Sequence, residues 1–125
     1  MFREGSEAWR LRREVDERPR AHLVEKSLPG SFTDTTLADI LASSDIDTVS
    51  IVGYMTHMRV DTAAREAAHR GFSVEVLSDA TGTLALENSG GAATGEELHR
   101  STLVAQGQFF ADIVSTDEWL SRLDD

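Results

Sequence analysis

The stretch VGYMTHMRVDTAAREAAHRGFSVEVLSD, residues 52–79, decides the fold of this chain. It opens on the end of TVSIVG, 48–53, a β-branched run of the kind buried in parallel sheets. Val60, Ala63, Ala64, Ala67 and Ala68 then recur at helical spacing. They predict a helix over 60–70 whose narrow, mostly alanine face can approach a sheet closely. Gly71 suits the helix end, and SVEVLS reads as a second strand closing at Asp79. Strand, helix, strand in that order is a crossover unit, and ligands of such sheets bind beyond the carboxyl ends of the strands. Arg59 stands where the loop turns into the helix, a place that favours anions, so a cation there costs about 0.3–1 kcal/mol.

The flanking sequence extends this pattern. Ala8, Leu11 and Val15 fall on one face of a helix over 6–18 that Pro19 ends. AHLVEK, 21–26, reads as a strand followed by the Pro-Gly turn of SLPGSF, and Asp34 as the cap of a helix carrying Leu37, Ile40 and Leu41. Residues 79–94 are small, polar and glycine-rich and read as a long loop. Thr94 with Glu97 and Ser115 with Glu118 have capping-box spacing, which places helices at 95–106 and 116–123 around a strand at 110–114. The expected architecture is a single domain over 1–125, three-layer α/β/α with a parallel Rossmann-like sheet. Its strand ends select three places for a site: Lys26 to Phe32, Gly53 to Arg59, and Asp79 to Thr83.

Composition excludes several classes. The 125 residues hold 22 acidic and 12 basic side chains, a formal charge of −10, which argues against a nucleic-acid or anionic-membrane partner. There is no cysteine, hence no disulfide, no thiolate metal site and no thiol nucleophile in this chain. No apolar run approaches the ~20 residues of a membrane-spanning helix, and MFREGSEAWR is unlike a signal peptide, so a cytoplasmic location is expected. His57 has no partner histidine at metal-ligand spacing and reads as a polar loop residue; His22, His69 and His99 carry no functional assignment. Trp9, Trp119 and the Phe109–Phe110 pair read as core or interface. No metal and no cofactor is expected.

Three words, EKSLPGSFTDTTLADIL at 25–41, IDTVSIVGYMTHMRVDTAAREAAHRGFSVEVLSDATGT at 46–83 and a weaker FREGS at 2–6, resemble the isochorismatase-like cysteine hydrolases. That superfamily includes nicotinamidases, N-carbamoylsarcosine amidohydrolases and isochorismatases. The resemblance implies a site built from a strand-end lysine, a cysteine at a helix N-terminus and an aspartate on the first strand. The thiol attacks a carbonyl, the aspartate moves the proton, and the lysine fixes charge. Lys26 matches the lysine, and Arg59 falls on the cysteine of the pattern G-[YVL]-x-T-[HND]-x-C-V. Gly53, Tyr54, Met55 and Thr56 match the loop before the nucleophile, with a non-proline cis peptide implied between Tyr54 and Met55 and an oxyanion hole from the backbone N–H groups of 55 and 59. Phe32 is implied to border the pocket.

Two departures are visible. A guanidinium stays protonated and cannot replace a thiolate. The strand with the D-[VMT]-Q aspartate, and a second strand after it, precede in the family everything matched here. With the family's strand order of 3-2-1-4-5-6, those strands belong between AHLVEK and TVSIVG, and their absence leaves unpaired backbone edges. The resemblance therefore implies hydrolysis of a small-molecule C–N amide or an isochorismate-type vinyl ether by ancestry, with this chain inactive by itself. Some family members lack the cysteine and still work through the first-strand aspartate. The alternative is a non-catalytic, homo-oligomeric binding or assembly module that holds a small-molecule anion at Lys26 and Arg59. Asp34, Asp61 and Asp79 are the nearest candidates in sequence to balance those two cations, although Asp61 with Arg65 and Glu66 with Arg70 have the spacing of helical ion pairs.

Overall fold

The computed structural model describes residues 3–124. Strand β1, Thr48–Tyr54, lies parallel to β2, Ser73–Gly82, which in turn lies parallel to β5, Asp112–Val114. The order β1-β2-β5 leaves β2 central and β1 at an edge. Between β2 and β5 come an antiparallel hairpin, β3 Leu86–Asn88 with β4 Gly91–Ala93, and the helix α4, Gly95–Phe109. The predicted loop over 79–94 is thus partly strand: β2 does not close at Asp79 but runs on to Gly82, and the glycine-rich segment supplies the tight reversal Asn88–Gly91. Glycine-rich composition signals reversal of the chain but not its pairing.

Helices cover the sheet on both faces. On one face Val74 and Val76 meet Ala64 and Ala67 of α3, Asp61–His69, together with Leu103 of α4 and Phe32. Ala64, Ala67 and Val76 are fully buried, so the alanine stripe does bring α3 close to the sheet. Helix α2, Leu37–Ser43, adds Leu37 and Leu41 to this cluster. On the other face lies α5, Thr116–Leu123. Its Trp119 indole donates to Ser50 Oγ at 3.0 Å, and its Arg122 spans Glu75 at 2.7 Å and Asp112 at 2.9 Å. Both predicted capping boxes are formed, with the threonine and serine hydroxyls accepting from Glu97 and Glu118 N–H at 3.1 Å.

Three expectations are corrected. Residues 21–26 form no strand; Leu23 is exposed, and no strand pairs with this segment among the described residues. The helix over 6–18 is reduced to a 3₁₀ turn at Glu7–Trp9, capped by Ser6, and a single turn α1 at Arg13–Asp16. Its apolar residues Trp9, Leu11 and Val15 are exposed, and a short helix without a packed face is marginal. Asp34 does not cap α2: it adopts φ 54°, while Thr35 Oγ1 accepts from Leu37 N–H at 3.3 Å.

Candidate functional site

The segment between β1 and α3 is built in an unusual way. Ile51 pairs with Val76, but Gly53 pairs with Thr81, so β2 bulges opposite the end of β1. Gly53 takes φ 122°, open to glycine alone, and the Tyr54–Met55 peptide is cis, as the resemblance implied. Thr56–Val60 then forms a π-turn, with Val60 N–H donating to Met55 O at 3.2 Å, and passes directly into α3. The helical segment accordingly begins at Thr56, not at 60, and Arg59 lies within its first turn. Wide turns of this type are frequent at functional sites because they re-aim a side chain.

Arg59 and Lys26 face one cavity of about 170 Å³, which Ser31, Gly53, Tyr54 and Ala63 also line. Lys26 Nζ donates to Pro29 O at 2.5 Å. Its ammonium titrates below its ordinary range, first because it is partly buried, then because of the Arg59 guanidinium, with Glu66 acting in the opposite direction. Two of the three places selected from strand ends are therefore brought together. The third is tied to them at its tip, where His57 Nδ1 and Thr83 Oγ1 share a hydrogen bond of 2.7 Å.

The remaining candidates divide. Tyr54 lines the cavity and is 75% exposed. Met55 contributes its carbonyl as the acceptor that organises the π-turn. Thr56 is 0% exposed and lies away from the cavity, its Oγ1 hydrogen-bonded to His99 Nδ1 at 2.8 Å. Since His99 Nε2 lies 3.0 Å from Ser78 O, a carbonyl that can only accept, Nε2 carries a proton, and in the neutral imidazole Thr56 donates to Nδ1. Phe32 is buried in the core, 6.1 Å from the Phe72 ring and beneath the Arg70 guanidinium at 4.9 Å, while its neighbour Ser31 reaches the cavity.

Two of the acids suggested as counter-charges, Asp61 and Asp79, are engaged elsewhere. Asp61 pairs with Arg65 at 3.1 Å and accepts from the Gln106 amide. Asp79 accepts from Thr116 N–H and Oγ1 at 2.8 and 2.7 Å, and the hydroxyl and backbone bonds hold its carboxyl below the usual range. The carboxylate that acts on Lys26 is Glu66, which sequence reading assigned only to Arg70. Its position, seven residues after Arg59 on the same helix, was the available signal: that spacing returns a side chain to the same face. His99 carried no comparable signal, because its partners lie in two other elements.

A profile of the isochorismatase domain matches residues 1–118. The chain is 39% identical over 82 residues to the secreted isochorismatase effector Isc1 of Verticillium dahliae, covering 66% of this chain and 43% of that protein. It is 34% identical over 96 residues to nicotinamidase 3 of Arabidopsis thaliana, covering 77% of this chain and 43% of the plant protein. A solved structure of an isochorismatase-class protein from Burkholderia xenovorans LB400 superposes with a TM-score of 0.95 at 46% identity, over 97% of this chain and 58% of that one. The chain thus spans about half the length of these relatives. The match over residues 1–118, nearly the whole sequence, places the chain in the isochorismatase family.

Proposed function

We propose that this chain is an isochorismatase-family hydrolase homologue that does not itself turn over small amides or isochorismate-type ethers. The observation that carries this reading is Arg59 in the cavity with Lys26, at the position the resemblance gives to the family nucleophile, in 125 residues that hold neither a cysteine nor a D-[VMT]-Q aspartate. An attacking group needs a lone pair at working pH, and a guanidinium offers none. Incubation of the purified chain with nicotinamide and with isochorismate, followed by chromatography of the products, is expected to show no hydrolysis. Turnover of either compound by the unmodified chain would overturn the proposal.

A second reading, a non-catalytic module that takes a small carboxylate, is favoured by the pairing of the two cations. Arg59 and Lys26 line the same small cavity, and the Arg59 guanidinium disfavours the charge of the Lys26 ammonium. A bound carboxylate places negative charge beside both cations and relieves that repulsion. Titration with benzoate, followed by ¹⁵N NMR, is expected to shift amides of 53–60 and 26–31 in the unmodified chain and to lose the effect in Arg59→Met. Shifts that persist in Arg59→Met, or that fall elsewhere, rule out this pocket as the anion site.

A further inference from the structure

Lys26 sits on a segment without regular structure, yet its ammonium must be held in place for any role in the cavity. It donates to Pro29 O, so the lysine is fixed to the loop that follows it. What fixes that loop is on α3. Thr33 Oγ1 donates to Glu66 Oε2 at 2.8 Å, and Gly30 packs so closely on the Glu66 carboxylate that a Cβ at position 30 would overlap it. The Glu66 side chain is only 15% exposed, and Oε1 is buried without a hydrogen-bond partner among the described residues. Leaving a buried carboxylate oxygen unsatisfied is costly. Arg70 lies 3.9 Å from Oε2 and is partly exposed, too distant a pair to explain why the carboxylate turns inward.

We propose that Glu66 is the positioning residue of this pocket: by gripping Gly30 and Thr33 it clamps the 26–33 loop onto α3 and so sets where the Lys26 ammonium stands beside Arg59. The proposal rests on the pocket being formed by Lys26 and Arg59, but not on any ligand or turnover. Glu66 also supplies the negative charge that partly offsets the Arg59 guanidinium at Lys26. The clamp explains the glycine as well: position 30 must lack a side chain so that the carboxylate can reach the loop backbone.

The test compares Gly30→Ala, Glu66→Ala, their double variant and Glu66→Gln in the full chain. Hydrogen exchange of amides 27–33 is expected to accelerate about tenfold or more in Glu66→Ala and in Gly30→Ala, as loss of a charged hydrogen bond requires. In the double variant the two effects are expected not to add, because alanine at position 30 meets no carboxylate there. Glu66→Gln keeps the shape of the clamp and removes its charge, so loop exchange is expected to stay near that of the unmodified chain while the Lys26 ammonium, followed by ¹⁵Nζ NMR, titrates at lower pH. A plain helix-surface role for Glu66 predicts additive effects and an unchanged Lys26 titration, and that result would overturn the proposal. Benzoate titration of the same samples separates the two readings: non-additivity without benzoate binding upholds the clamp and removes the anion pocket.

Discussion

Arg59 changes the chemistry of its neighbourhood through its charge. Burial and the Arg59 guanidinium lower the pKa of Lys26 from the ordinary value of 10.5. A base whose folded-state pKa is depressed disfavours folding while it is protonated in both states, so its unfavourable contribution is present in full below the folded pKa. It fades as pH rises through the folded pKa toward 10.5. Arg59→Met is expected to move the Lys26 titration upward and to flatten the alkaline part of the stability–pH curve, measured by urea unfolding between neutral and alkaline pH. Asp79 behaves with the opposite sign. Its carboxyl is held below 3.8 by Thr116, so its contribution is present above that value and is lost as pH falls through the folded pKa. Asp79→Asn is expected to lower the urea midpoint at neutral pH, with the deficit shrinking toward pH 2; an equal deficit at both ends would show that the charge is not what stabilises the turn.

At the scale of elements, the caps were legible and the unpacked helix was not. A capping box is local, since hydroxyl and carboxylate three residues apart satisfy each other's backbone donors whatever surrounds them. Thr94→Ala and Ser115→Ala are each expected to cost about 1 kcal/mol in chemical denaturation, and the two losses should add because the helices start at separate places. The apolar spacing of Ala8, Leu11 and Val15 is equally regular, but a stripe makes a helix only where another surface covers it, and here it lies exposed. The same limit applies to AHLVEK, whose strand character needs a pairing edge. The π-turn at Thr56–Val60 depends on the bulged register of β2 and on Gly53, and periodicity in the helix after it gives no hint of either.

For the whole molecule, the open side of the sheet sets the expectation. β1 pairs with β2 alone among the described residues, and its alternate side chains include Val52 at 58% and Tyr54 at 75% exposure. An exposed parallel-sheet edge of seven residues is a ready template for further pairing. Association of this chain in solution is therefore expected, and a monodisperse monomer in light scattering would contradict it. By itself the sequence determined the crossover unit, the alanine face of α3, the capped helices α4 and α5, and the family. All of these are written in local patterns of side-chain period, backbone donors and motif spacing. Only the tertiary structure decided that Lys26 and Arg59 share a cavity, that Phe32 and Thr56 turn into the interior, and that Glu66 rather than Asp34, Asp61 or Asp79 reaches the lysine loop. Those outcomes depend on which distant elements meet across the sheet, and residue spacing along a chain does not encode that meeting until the core has chosen its register.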